Sequence, residues 1–324
     1  QNSREVKITP AKIYTDPVLY SKVYEIEGKK IGYLFYTNFI ENYNESLHRV
    51  FSNFKTEGIT DLVLDLRYNP GGGISAANYL ASLIAPETAV RNKEVFSIMS
   101  YNTYVNAAFD NNKWDRNDYL GDYDVTKFSD PVSANLNLSK IYVIATSSSA
   151  SASELLTFCL EPFMQVEHIG ETTSGKYTAS WTIHPYNSYG GRVQPVYKES
   201  SLNTEEKNRL KNWAMQPIVG RYTDKNNKDF IATDGLVPDY PIQTQEYNTE
   251  TWKPIGDTND YLFAKAISLI TGKPYEVSSS LSRNKNALSP QFTEAELYSI
   301  TESIYREGVI VDNPELLPPI EKNR

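Results

Sequence analysis

Short apolar segments alternate with amphipathic segments between residues 31 and 85, and this alternation constrains the fold more than any other feature of the chain. Residues 31–36 and 61–66 have the apolar character of strands. Residues 47–54 carry apolar side chains at helical spacing, and a second helix is predicted over residues 75–85. Strands that alternate with helices in this way favour a sheet with helical crossovers. The sequence therefore predicts an α/β fold.

The same alternation returns in the second half of the chain. Residues 141–144 and 166–169 are predicted to be strands, and residues 152–160 between them a helix. A further helix is predicted over residues 260–271. Residues 95–135 begin with a strand-like run but are otherwise polar and aperiodic, so we expect mostly a surface excursion there.

Charge and composition exclude several classes of protein. The 324 residues include 32 Lys and Arg and 40 Asp and Glu, and the net charge of −8 has the wrong sign for a broad nucleic-acid surface. No run approaches the ~20 apolar residues of a membrane-spanning helix. One cysteine, Cys159, excludes an internal disulfide framework and a multi-cysteine zinc site, and the three widely separated histidines disfavour a histidine-rich metal site. No metal or other cofactor is therefore expected.

A serine-rich turn connects the strand at residues 141–144 to the helix at residues 152–160. Ser151 and Glu154 have the spacing of a capping box, in which the glutamate returns to the backbone of the cap residue. A serine at such a corner is also well placed as a nucleophile, because free N–H groups at the helix start can hold a developing oxyanion. The two interpretations are compatible.

Residues 170–176 match the pattern G-x-x-x-x-G-K of a phosphate-binding loop. That loop needs Ser or Thr after the lysine and a helix behind it. Here Tyr177 follows Lys176, and the next residues have an extended pattern. Nucleotide binding is therefore not predicted.

A nucleophilic serine needs a base, and three side chains are candidates. His168 and His184 would give a Ser-His arrangement, but neither has an obvious acidic partner, and His168 falls within a predicted buried strand. Lys176 lies in a turn at the carboxyl end of that strand, where α/β proteins place their active sites. A lysine, with an ordinary pKa near ~10.4, is a base only where its surroundings favour the neutral amine.

A glycine turn at residues 69–73 leads from a predicted strand into a predicted helix. Its simplest role is a turn that needs positive φ angles. Consecutive glycines also let a ligand approach the backbone closely and present N–H donors at a helix start. Because Pro70 has no N–H, Gly71 and Gly72 are the better candidate donors.

Four segments together resemble the tail-specific, or C-terminal processing, family of serine peptidases. They are residues 64–72 (LDLRYNPGG), 149–154 (SASASE), 170–176 (GETTSGK) and 234–239 (DGLVPD). The segments follow the order of the family, and the resemblance extends over most of the chain, from about residue 30 to about residue 272. Four motifs in this order are far more specific than any one of them.

The resemblance implies a catalytic dyad of serine and lysine. The family spacing of 25 residues selects Ser151 as the nucleophile and Lys176 as the base. An oxyanion hole is implied from the backbone N–H of Ala152 and that of Gly72 or Gly71. The implied fold is a crotonase-like α/β core of ββα units with a smaller cap of extra strands and helices.

The chain departs from the family pattern in two places. The family often has Gln four residues after the lysine, where this chain has Ser180. A PDZ domain usually precedes the catalytic core, and residues 1–28 are too few for one, so we expect leading strands that are at most its remnant. Residues 29–275 are expected to form the peptidase domain and residues 276–324 a helical appendage.

The function implied by the resemblance is a serine endopeptidase that cuts exported polypeptides near their C-termini, in the periplasm or cell envelope. Its partner is a polypeptide substrate rather than a nucleic acid, and assembly into a homo-oligomer is compatible with the family. The alternative is a non-catalytic module on the same fold that binds a peptide or small ligand. A Ser-His hydrolase using His168 or His184 is a third interpretation.

Overall fold

A computed structural model describes residues 15–186, 196–229, 235–243 and 252–274. The described residues form two compact units. The first contains residues 15–97, 117–176, 224–229, 235–243 and 252–274, and the second contains residues 98–116, 177–186 and 196–223.

The chain forms strands and helices in alternating order. The strands are β1 (Val18–Ile26), β2 (Lys29–Tyr36), β3 (Asp61–Asp65), β4 (Val95–Tyr101), β5 (Asn117–Tyr119), β6 (Lys140–Ala145), β7 (Gln165–Gly170), β8 (Thr178–Ser180), β9 (Ile218–Asp224) and β10 (Tyr240–Pro241). The helices are α1 (Asn44–Glu57), α2 (Ile74–Ile84), α3 (Glu87–Arg91), α4 (Thr103–Asn112), α5 (Pro131–Ala134), α6 (Ala152–Leu160), α7 (Thr204–Leu210) and α8 (Tyr261–Thr271). Short 3-10 turns lie at Glu41–Tyr43 and Glu199–Ser201.

A six-stranded sheet in the order β1-β2-β3-β6-β7-β10 is the frame of the first unit. In this sheet the strands β2, β3, β6, β7 and β10 run parallel, and β1 pairs antiparallel with β2. Parallel strands are usually buried on both faces, which explains the nearly continuous apolar runs at β3 and β6. The predicted α/β fold is confirmed.

Helix α8 covers one face of this sheet. Its buried side chains Phe263 and Ile267 belong to the same cluster as Tyr33 of β2, Val63 of β3 and Ile144 of β6. Because side chains alternate along a strand, the residues next to these strand positions face the other side of the sheet. Both faces are therefore lined by buried apolar side chains.

Local signals in the sequence explain where the helices begin and end. Helix α1 ends at Gly58, which has the left-handed φ of 66° that glycine adopts without strain. Helix α8 begins after Asp260, whose side chain accepts hydrogen bonds from the N–H groups of Leu262 and Phe263.

Helix α6 is buried along its whole length and carries Cys159, which is fully buried. Burial raises the pKa of this thiol well above its usual value.

A second sheet has four strands in the order β5-β4-β9-β8. Strands β8 and β9 pair antiparallel, with Ala179 opposite Gly220. Within the second unit, a cavity of about 1100 Å³ is lined largely by apolar side chains, among them Trp213 and Met215, and also by His184. None of the helices in the described ranges is both long and apolar enough to cross a membrane.

The structure differs from the sequence-based expectation mainly in residues 95–135. The predicted strand is present as β4, but the excursion behind it contains α4, β5 and α5. Residues 1–14, the first half of the expected leading strands, and the helical appendage expected at residues 276–324 lie outside the described residues. Strand β1 joins the main sheet through β2, and the division at residues 28 and 275 remains a prediction.

Candidate active site

Three turns follow three neighbouring parallel strands of the six-stranded sheet. The glycine turn follows β3, the serine-rich turn follows β6, and the loop that carries Lys176 follows β7. Because the carboxyl ends of parallel strands meet at one edge of a sheet, the three turns lie along the same edge. The fold thus gathers three of the four motifs that the sequence singled out.

Ser151 occupies the N-cap position of α6 in an unusual backbone conformation. Its φ is 55° and its ψ is −111°, a combination of backbone angles that residues other than glycine rarely adopt. The helix opens with the predicted capping box, and Glu154 Oε2 accepts a hydrogen bond from Ser151 N at 2.8 Å. The strained backbone and the capping box together fix the direction in which the side chain of Ser151 projects from the turn.

This strain predicts that Ser151→Gly is more stable than Ser151→Ala by about 1 kcal/mol. Both variants lose the hydroxyl, but only glycine is free of the clash between Cβ and backbone at positive φ. Urea unfolding of the two variants measures the difference directly. An alanine variant as stable as the glycine variant would show that the turn is not strained.

Glu154 connects the serine turn to the lysine loop. Its carboxylate is fully buried, and Oε2 accepts from Lys176 N at 2.9 Å as well as from Ser151 N. The other oxygen, Oε1, accepts from Gly175 N at 2.7 Å and from the Thr173 hydroxyl at 2.6 Å. Four donors thus satisfy a carboxylate that would be costly to bury alone.

Sequence reasoning found only half of this role. The spacing of Ser151 and Glu154 predicted the capping box, but nothing in the sequence indicated that the same carboxylate reaches Gly175 and Lys176. Since Oε2 accepts from both backbone nitrogens, Ser151 N and Lys176 N can be no farther apart than the combined length of the two bonds. The structure therefore brings the two predicted dyad residues together at the backbone.

The glycine turn packs directly on the serine turn. Gly71 has a φ of 104°, and a Cβ built on it would lie 2.7 Å from Ser151 Cβ and 2.8 Å from Ala152 N. The backbone of Phe39 holds the turn from the other side, because Phe39 N donates to Gly71 O and Gly73 N donates to Phe39 O. Only a residue without a side chain fits at Gly71.

Asn69 distinguishes between the two candidate glycine donors. Its side-chain Oδ1 accepts from Gly71 N at 2.9 Å, and its Nδ2 donates to Tyr36 O at 3.0 Å. The N–H of Gly71 is therefore already engaged. Within the described ranges, the N–H groups of Gly72 and Ala152 have no hydrogen-bond acceptor. These two amides remain available to a ligand.

The side chain of Lys176 extends into solvent. It is exposed, and its Nζ forms neither a hydrogen bond nor an ion pair with any described residue. Ser180, which stands where the family often has Gln, is the last residue of β8. The backbone of Lys176 is thus fixed by Glu154, whereas its amine is accessible.

The two histidines that were alternative bases lie in different surroundings. His168 is buried within β7, and its burial lowers the pKa of the imidazole to about 4. Its backbone N donates to Asp239 Oδ2 at 2.8 Å. His184 belongs to the second unit, where its Nδ1 lies 3.2 Å from Trp213 O. Among the described residues, the ring nitrogens of His168 have no hydrogen-bond partner in the serine turn or elsewhere.

A buried ion network surrounds Arg67, which precedes the glycine turn in the chain. Arg67 contacts Asp65 and Asp260 with its guanidinium, at 2.7 Å and 2.8 Å in the closest pairs. Tyr33 also donates its hydroxyl to Asp65 Oδ2 at 2.6 Å. Burial opposes the charge of Arg67, but the two carboxylates outweigh it and raise the pKa of the guanidinium well above its usual value. The network fixes the start of α8 to the end of β3.

Comparison with known proteins identifies the family. A family model described as Peptidase family S41 matches residues 30–242. A carboxyl-terminal-processing protease of Picosynechococcus sp. (strain ATCC 27264 / PCC 7002 / PR-6) is 27% identical over 268 residues, which are 83% of this chain and 51% of that protein. A crystal structure of a Bacteroides fragilis NCTC 9343 protein, assigned to the S41 proteases, has a TM-score of 0.61 and 26% identity, and the match covers 81% of this chain and 59% of that one.

These matches confirm the family that the motifs predicted. The chain spans about half the length of the curated relatives it matches. The region matched by the family model includes the glycine turn, the serine turn and the lysine loop. Because that region is well over half of the residues, the chain belongs to peptidase family S41.

Proposed function

We propose that this protein is a serine endopeptidase of the tail-specific, C-terminal processing type. Ser151 is the nucleophile and Lys176 is the base. Family membership supports the reaction class, and the convergence of the three turns supports the assignment of residues. The proposed substrates are exported polypeptides, which the protein would cleave in the periplasm or cell envelope. The relationship to carboxyl-terminal-processing proteases supports this part of the proposal.

One observation carries the proposal. Glu154 Oε2 accepts hydrogen bonds from the backbone N of Ser151 and from that of Lys176. A carboxylate that holds two backbone segments together in the interior fixes their separation, which is what a reaction between a hydroxyl and an amine requires. The strained backbone of Ser151 supports the same conclusion, because such strain is concentrated at functional sites.

The proposed reaction uses the dyad twice. Ser151 Oγ attacks the scissile carbonyl carbon while the neutral amine of Lys176 takes the hydroxyl proton. The tetrahedral oxyanion accepts hydrogen bonds from the N–H groups of Ala152 and Gly72, with Gly71 excluded by its bond to Asn69. Lys176 then gives the proton to the leaving amine, which departs as the C–N bond breaks. Water then gives a proton to the same lysine and attacks the acyl carbon, and the carboxyl product leaves as the bond to Ser151 Oγ breaks and Lys176 returns the proton to that oxygen.

The exposure of Lys176 supports a role for the substrate in making its amine a base. An amine accepts a proton only in its neutral form, and removal of water from around it favours that form. An extended substrate lying between Ser151 and Lys176 would cover the amine and supply this change. We therefore propose that peptide binding, rather than the protein interior, completes the site.

The proposal is tested by covalent labelling. A fluorophosphonate is expected to react with Ser151: Oγ forms a bond to phosphorus, the phosphorus–fluorine bond breaks to release fluoride, and Lys176 takes the hydroxyl proton. Peptide cleavage should then fall in proportion to the labelled fraction. Mass spectrometry of the digested protein locates the label. Ser147 and Ser148, which are exposed in the same turn, serve as internal controls and should stay unmodified.

The same experiment separates the alternatives. A non-catalytic binding module would leave Ser151 unlabelled, and cleavage that persists after full labelling would contradict the proposal. If labelling were lost in a His184→Ala or His168→Ala variant and kept in Lys176→Ala, the base would be a histidine.

A further inference from the structure

One motif of the sequence has no role in the proposed reaction. Residues 234–239 resemble a segment of the family, and Gly235 to Asp239 lie within the described residues. Strand β10, which follows immediately, pairs with β7 through Tyr240 and Ile169. The segment therefore runs beside the strand and the loop that lead to Lys176.

Both ends of this segment contact that strand and loop. At one end, Asp239 Oδ2 accepts a hydrogen bond from His168 N of β7 at 2.8 Å. At the other end, Leu236 pairs with Thr173: Thr173 N donates to Leu236 O at 3.1 Å, and Leu236 N donates to the Thr173 hydroxyl oxygen at 2.7 Å. Gly235 permits this approach, because a Cβ built on it would lie 2.1 Å from Thr173 O.

The hydroxyl of Thr173 is the point at which this segment meets the carboxylate of Glu154. It accepts the N–H of Leu236 and donates its own proton to Glu154 Oε1 at 2.6 Å. A hydroxyl that accepts one bond can direct its single proton into the other, so the two bonds orient each other. Thr173 is itself buried.

We infer that Thr173 is a positioning residue of the dyad, and that through it Gly235–Asp239 holds the Glu154 carboxylate in the orientation that fixes Lys176. Glu154 can accept from Gly175 N and Lys176 N together only in one rotation of its carboxylate plane. The Thr173 hydroxyl, anchored by Leu236 N, selects that rotation. The inference rests on the proposed function for its consequence in catalysis, but its structural part does not depend on it.

A loss of this hydroxyl should act on rate rather than on substrate binding. Displacing a catalytic group by about 1 Å can lower a rate about 100-fold. We therefore expect Thr173→Val, which keeps the shape of the side chain, to lower kcat for a peptide by about 10- to 100-fold while KM changes by less than about threefold. Thr173→Ser, which restores the hydroxyl, should stay within about threefold of the parent in both constants.

Thr157→Val is the matched control. Thr157 is a buried threonine of α6 whose hydroxyl donates to Ser153 O at 2.8 Å, away from Glu154. The Thr157→Val variant loses a buried hydroxyl from α6, the helix that also carries Glu154. We expect its kcat to stay within about threefold of the parent. Should Thr173→Val fail to fold, Thr173→Ala takes its place in the same comparison.

Hydrogen exchange tests the structural part without any peptidase assay. The amides of Gly175 and Lys176 are protected by Glu154, and we expect them to exchange faster in Thr173→Val than in Thr173→Ser or Thr157→Val. Unchanged exchange in Thr173→Val, or a kcat no lower than that of Thr157→Val, overturns the inference. So does a Thr173→Ser variant as impaired as Thr173→Val.

Failure of the proposed function would look different. In that case the parent would show no cleavage that depends on Ser151, while the exchange of Gly175 and Lys176 would still rank the variants as stated. The two measurements together therefore decide both questions.

Discussion

Replacing Ser151 or Lys176 by alanine is expected to lower kcat/KM for peptide cleavage by about 10³-fold or more. Ser151→Ala removes the attacking oxygen, and Lys176→Ala removes the group that accepts its proton. Because the two act in one step, the double variant should be no worse than the worse single variant. Steady-state kinetics on a fluorogenic peptide, with circular dichroism to check the fold, provides the measurement.

Two further variants make this result specific. Lys176→Arg keeps the positive charge but cannot accept a proton near neutral pH, so it should be as inactive as Lys176→Ala. Ser148→Ala changes an exposed serine of the same turn and should retain activity within about twofold. Substantial cleavage by the arginine variant would mean that position 176 contributes charge rather than a base.

Arg67→Ala is expected to lower the free energy of unfolding by about 3–5 kcal/mol. The guanidinium lies between Asp65, which is fully buried, and Asp260, which caps α8. Without it, two carboxylates remain in the interior with no positive partner, and burial of an uncompensated charge is costly. Since domains of this kind are stable by about 5–15 kcal/mol, urea unfolding should show a large shift in midpoint.

Arg91→Ala is the control for this prediction. Arg91 pairs with Glu87 one helical turn away, at 2.6 Å, but the pair is largely exposed. Exposed pairs of this spacing contribute about 0.3–0.5 kcal/mol. If the two alanine variants were equally destabilised, the network around Arg67 would have no special weight in the fold.

Much of the fold could be predicted from periodicity. The strand at residues 61–65 and the helix at residues 152–160 have strong local patterns, and their observed bounds differ from the predicted ones by at most one residue. Helix α4 was not predicted, because Thr103–Asn112 is polar and buries only Phe109, so no apolar stripe marks it. Periodicity reports burial, and a helix with little buried surface gives little signal.

The candidate site was predicted only in part, for a related reason. The resemblance to the peptidase family selected Ser151 and Lys176, and the pairing of both backbones with Glu154 supports that choice. The preference for Gly72 over Gly71 could not be predicted, because it depends on a side-chain bond from Asn69 that no spacing reveals. The contact of Thr173 with Leu236 joins residues 63 positions apart and equally leaves no local pattern.

The complete burial of Cys159 has a practical consequence. It is the single cysteine of this chain, it has no exposed surface, and burial disfavours its reactive thiolate form. A cysteine introduced at an exposed position, such as Ser148, would therefore be the one thiol that reacts readily with a maleimide dye. This chain could carry a fluorescent reporter in the serine turn without its own cysteine being replaced first, and the arrival of a peptide could then be followed in real time.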